Sequence, residues 1–200
     1  MNELKKKRMK SVIKYTWPIY IVTSIIVFVV LSIIFNVAHP IPAYKSLTLF
    51  VTGEVQEREK LSKDMFAKFE EKQIRNFSCI ASRRTDGDYS TRLKVAGYST
   101  ADVLILPNSV IEEVSDPASF ALKISEEIVN YFYQGYSFYQ RNDVNYGIKI
   151  NKDKISQYMT LPDEDCFMFL NGASKNLGNY GINPVAEHDM ALQIVKDWGM

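Results

Sequence analysis

The chain has 200 residues, 46% of them hydrophobic and 24% charged, with a formal charge of +1 at pH 7. Its first 16 residues hold Lys5, Lys6, Lys7, Arg8, Lys10 and Lys14 against Glu3, which leaves the remainder near −4 and argues against nucleic acid as a partner. The two cysteines, Cys79 and Cys166, lie far apart without metal-ligand spacing.

Residues 17–38 read WPIYIVTSIIVFVVLSIIFNVA, with no charged side chain between Lys14 and Lys45. As a helix this run is about 33 Å long, enough to cross the hydrocarbon layer of a bilayer. It exceeds the core of a cleavable signal peptide, so an uncleaved anchor is expected, with lipid as its partner along residues 17–38. Tyr15, Trp17 and Tyr20 suit the inner interface, and the basic residues 1–16 belong on the cytoplasmic side. Residues 39–45, with Pro40 and Pro42, are expected as a stiff linker. Residues 46–200 then lie outside the cytoplasm, long enough for one domain with its own core.

That domain opens on Ser46–Thr52 (SLTLFVT), an apolar run ended by Gly53 and predicted as a strand. Residues 55–72 place Leu61, Met65, Phe66 and Phe69 on one face of an amphipathic helix. Residues 74–82 predict a second strand. Residues 83–88 predict a turn, with Asp88 or Ser90 able to cap a short helix ending near Gly97. Residues 102–106 predict a third strand. Strands apolar throughout are covered on both faces. Joined by helices, these three imply right-handed βαβ units and a parallel sheet.

Residues 116–132 predict a helix, with Phe120, Ile124, Ile128 and Phe132 at four-residue spacing. Residues 136–150 predict paired strands, Cys166–Leu170 another strand, 171–184 a Gly/Asn loop and 186–198 a final helix. Six aromatics crowd 131–139, which suits core filling or a Tyr-rich contact face. Cys79 and Cys166 remain open to two readings, a long-range disulfide or two buried thiols.

Ligands of open parallel sheets sit beyond the carboxyl ends of the strands. Here those ends carry Thr52, Arg83, Arg84, Asn108 and Ser109, the candidate ligand-binding residues. The arginine pair suits a carboxylate or phosphate, and amides at the following helix starts add an anion preference. Asp86-Gly87-Asp88 lacks the further oxygens of a calcium loop and reads as a turn. His39 and His188 pair with no nucleophile motif, and there is no Gly-rich phosphate loop. No catalysis, metal or cofactor is expected.

Three stretches give the chain a family likeness: MFAKFEEKQIRN at 65–76, KVAGYSTADVLIL at 94–106, and YGIKI at 146–150 followed by FLNGASKNLG and ALQIVKDW. In this order they resemble the extracellular solute-binding proteins of ABC importers. With the N-terminal transmembrane helix read from residues 17–38, the resemblance implies an α/β fold of one periplasmic-binding-protein-like lobe with a mainly parallel sheet and helices on both faces. It also implies a binding or accessory role beside an ABC permease or another membrane protein, with a weakly held anionic or polar small molecule as ligand. The family closes two lobes on its solute, and residues 107–146 are too short to form a second one. The alternative role is a protein-interaction or sensing domain that has lost solute binding.

Overall fold

The computed structural model describes residues 3–38, 41–114, 116–182, 184 and 187–200. His39 and Pro40 of the expected linker, and Ala186 at the expected start of the last helix, lie outside the described residues. The chain forms two compact units, Met1–Pro40 and Ile41–Met200.

The first unit is one helix, α1 (Glu3–Ala38), so the basic tail continues the helix of the apolar run. Its window Thr16–Phe35 is long and apolar enough to cross a membrane, and none of it is buried. Two hydroxyls inside it return their protons to the backbone one turn back, Thr23 to the Ile19 carbonyl and Ser32 to that of Phe28, each at 2.8 Å. Neither then needs a partner from a hydrocarbon surrounding.

The second unit is a three-layer α/β lobe. Its elements in order are β1 (Ser46–Thr52), β2 (Glu54–Val55), α2 (Arg58–Lys68), β3 (Asn76–Ser82), α3 (Tyr89–Arg92), β4 (Val103–Pro107) and α4 (Asn108–Glu112). Then come α5 (Glu126–Phe132), β5 (Phe138–Arg141), β6 (Val144–Lys149), α6 (Lys152–Ile155), β7 (Met159–Thr160), β8 (Cys166–Leu170) and α7 (Met190–Trp198). Six strands form one sheet in the order β3-β1-β4-β8-β6-β5, and β2 pairs with β7 separately. β1 is parallel to β3 and to β4. β8 runs against β4 and β6, and β5 against β6. Four of the six strands therefore point one way, and the sheet is mainly parallel.

Alternation along the central strands divides the core. Leu47, Leu49, Val51, Val103, Ile105, Met168 and Leu170 face one layer, with α2, α5, α6 and α7 packed on it. Phe50, Leu104, Leu106, Phe167 and Phe169 face the other, with α3, the π-helical turn Leu93–Tyr98 and α4. Helices thus cover both faces. At about 4.8 Å per strand, β3 and β8 stand about 14 Å apart, beyond disulfide reach. Cys79 and Cys166 on those strands are buried free thiols.

Three features differ from the sequence reading. Residues 116–132 are not a single helix: a 3₁₀ turn at Pro117–Ser119 and α5 flank an extended stretch. There Ala121 bridges Asn171, Leu122 N–H donates to Leu170 O and Ile124 N–H to Asn145 O, so these backbone groups serve the sheet instead of a helix. The expected helix at 55–72 is shorter too, because Glu54 and Val55 pair with β7. Asp88 occupies the N-cap of α3 without capping it, and its carboxylate pairs with Arg92 instead.

Candidate functional site

Register places the carboxyl ends of the three parallel strands side by side: Thr52 is opposite Ser82, and Val51 opposite Ile105. All five candidate residues therefore share one edge of the sheet. Each already has a partner. Thr52 is 1% exposed, and its hydroxyl shares a 2.8 Å hydrogen bond with the Tyr89 hydroxyl. Arg83 pairs with Glu54, and its backbone N–H donates to Asp86 at 2.7 Å. Arg84 pairs with Glu113. Asn108 donates to Glu112 at 2.6 Å. The Ser109 amide and hydroxyl both donate to the Glu164 carboxylate, at 2.8 and 2.6 Å. A side-chain carboxylate therefore occupies the start of α4, where the sequence reading put an amide preference for a ligand anion.

Beside this edge a groove of about 490 Å³ opens between the Tyr89–Tyr98 stretch and α4. Leu93, Val110 and Val114 supply apolar walls, and Arg84, Lys94, Asp86 and Glu113 supply charge of both signs. Arg84 lines it; Thr52 reaches it through Tyr89, while Arg83, Asn108 and Ser109 lie outside its lining. Tyr89 and Tyr98 were not singled out from sequence. Burial raises the Tyr89 phenol above its ordinary value, outweighing the bond to Thr52. Burial also pushes Tyr98, stacked on Phe120 at 4.4 Å, up to about 12. Both phenols therefore keep their protons at neutral pH. Lys94 makes no ion pair among the described residues. The groove can thus offer one unpaired cation, one exchangeable Arg–Glu pair, two aromatic rings and the Asp86 carboxylate, which already accepts from the Ser82 hydroxyl and the Arg83 N–H.

No family model matches the chain, and no curated protein matches it. Among solved structures, an ABC substrate-binding protein from Listeria monocytogenes, in complex with cycloalternan, is 17% identical with a TM-score of 0.22. The match covers 56% of this chain and 32% of that one, so this chain spans about a third of that protein's length. A likeness this loose fixes neither fold nor ligand.

At the opposite edge, where β4 begins, Asp102 is 7% exposed and acts as a hub. Its carboxylate accepts from Thr48 N–H at 2.7 Å, from Asn176 Nδ2 at 3.1 Å and from the Ser174 hydroxyl. Burial raises its pKa even against these three hydrogen bonds. The hub pins the FLNGASKNLG loop to the starts of β1 and β4. No group of three His, Cys, Asp or Glu side chains among the described residues could hold a metal. His188 stacks on Tyr44 at 4.3 Å, with Nδ1 buried and unpartnered among the described residues.

The aromatic stretch 131–139 mostly fills core. Tyr133 is fully buried and donates to Leu192 O, Tyr136 donates to Lys196 O, and Phe132 and Phe138 pack against the core. Tyr131, 75% exposed, is left at the surface.

Proposed function

We propose that this chain is a membrane-anchored, single-lobe solute-binding-like protein at the outer face of the cell membrane. In this reading residues 1–16 are cytoplasmic, 17–38 span the bilayer, 39–45 link and 46–200 form the extracytoplasmic lobe. It serves as a binding or accessory component of an ABC-type transport system and performs no catalysis. The observation that carries the reading is the groove at the carboxyl edge of β1, β3 and β4, where open parallel sheets bind ligands, in a chain with an apolar N-terminal helix. An anionic or polar solute would meet Lys94 and compete with Glu113 for Arg84. Without a second lobe the site stays wet, so affinity is no tighter than about millimolar, roughly −4 kcal/mol. Purification of the full chain from membranes solubilised in several mild detergents tests the role. A transporter subunit should accompany it, and recovery alone in every detergent would sink the proposal.

One observation favours a second reading. Arg83 and Arg84 are both satisfied by carboxylates of the same lobe. A domain that has lost solute binding and serves protein interaction or sensing would look the same. Calorimetry with sugars, amino acids, peptides and oxyanions separates the two, since saturable binding of any of them excludes this second reading.

A further inference from the structure

The two edges of the sheet are protected unequally. β5, at one edge, has four residues, carries Arg141 and shifts register against β6 between Tyr139 and Gln140. Shortness, charge and a bulge are the usual means of blunting an edge. β3, at the other edge, has none of them. Its seven residues NFSCIAS contain no charge and no proline. Its register with β1 is continuous from Ser46↔Asn76 to Thr52↔Ser82, and no strand among the described residues pairs with its outer side.

A groove of about 480 Å³ runs along β3 beneath α2. Phe77 and Cys79 of the strand and Phe66 of α2 supply its apolar part, and Phe66 is 38% exposed. Arg58 and Lys63 stand at its rim with Glu59, and Arg75 immediately precedes the strand. Arg58, Lys63 and Arg75 make no ion pair among the described residues. The border of this edge is therefore basic. A second copy of the chain fits it poorly. Antiparallel pairing of two β3 strands brings together two borders that each carry Arg58, Lys63 and Arg75 without an ion pair among the described residues, and like charges brought together across a strand pair are destabilising.

We infer that the β3 edge is a docking site for an extended segment of a different protein. That segment adds as a seventh strand, sets an apolar side chain into the Phe66–Phe77–Cys79 groove and carries acidic residues at its ends. Backbone pairing supplies affinity, and the groove and the basic border supply selectivity.

The test uses the full chain in detergent micelles and a fluorescent acetylated heptapeptide, Glu-Thr-Val-Leu-Val-Thr-Glu. It should bind saturably and more weakly as salt is added. N-methylating alternate amides removes strand hydrogen bonds and should cost about tenfold or more. A Lys-flanked version should bind worse to the unaltered chain and better to Lys63→Glu/Arg75→Glu, whose fold is checked by circular dichroism. Amide exchange should slow in residues 76–82 and stay unchanged in β5. Absence of saturation, indifference to N-methylation, or a flank preference unmoved by charge reversal would each overturn the inference. So would a dimer of the chain alone with the β3 amides protected.

Discussion

Removing Asp102 tests the account of the amino edge of the sheet. In Asp102→Ala, the Thr48 N–H and one Asn176 N–H lose an acceptor in a buried site, while the Ser174 hydroxyl can turn elsewhere. Each stranded buried donor costs about 1–3 kcal/mol, and release from burying a carboxylate returns part of it, so a net loss of about 3 kcal/mol is expected. Asp102→Asn keeps an oxygen for Thr48 but turns an amide toward Asn176, and about half that loss is expected. The Ile41–Met200 unit contains both core layers, and Trp198, 5% exposed, is its single tryptophan. Urea unfolding of that unit, followed by Trp198 fluorescence, gives the free energies.

The pH dependence decides between burial and hydrogen bonding. Burial raises the native pKa of Asp102 above the ordinary 3.8, whereas its three hydrogen bonds pull the other way. A carboxyl with a raised native pKa binds its proton more tightly folded than unfolded. Its contribution to stability is therefore complete below the ordinary value and is lost as pH rises through the native one. Asp102→Ala lacks this titration. Its cost should be largest in acid and shrink to a plateau as pH rises. A cost that grows with pH would show that the hydrogen bonds win and would refute the reasoning.

Four further outcomes are expected. A protease added to intact wall-stripped cells should digest residues 45–200 and spare the tail; a protected lobe would invert the topology. Gly147→Ala should destabilise the lobe by about 2 kcal/mol in denaturant titrations, because its Cβ would lie 2.8 Å from the ring of Phe169, itself wedged between Phe120 and Tyr139. Arg83→Ala/Arg84→Ala should change stability by less than about 1 kcal/mol in denaturant titrations, since both ion pairs are exposed; a larger loss would show that the pairs help to hold the lobe together. Burial pushes the thiols of Cys79 and Cys166 up to about 12 and about 11, so both should resist alkylation in the native chain and react in denaturant without prior reduction. A requirement for a reductant would reveal a disulfide.

Strands buried on both faces were the most legible parts of the chain. Cys166–Leu170 is a continuous apolar run and Ser46–Thr52 is broken between its ends only by Thr48; the structure reproduces the ends of both, because a strand covered on both sides is apolar along most of its length. The antiparallel direction of β8 was not legible, since an apolar run reads alike from either end. Residues 116–132 misled for a related reason. Phe120 belongs to one face of the sheet and Ile124 and Ile128 to the other, so their even spacing records a chain passing from one layer to the next. Two-residue strands such as β2 and β7 carry too little pattern to be seen. At the candidate site, the position of Arg84 after a strand was readable, but the partner that neutralises it, Glu113, lies 29 residues on, and the one that occupies Ser109 lies 55 residues on.

Those carboxylates change what the edge can recognise without closing it. Arg84 and Glu113 are each about half exposed, and a pair so placed contributes about 0–1 kcal/mol. A ligand carboxylate or phosphate that takes the guanidinium in a bidentate grip gains a contact of the same kind, and it releases Glu113 to water at small cost. The difference between the two contacts is therefore close to zero in open solvent. Net attraction must come from Lys94, which pairs with no carboxylate among the described residues, and from contact with Tyr98. Lys94→Ala should thus weaken an anionic solute more than Arg84→Ala does, measured by calorimetry at low salt. The reverse order would mean that the Arg84–Glu113 pair opens before the ligand arrives.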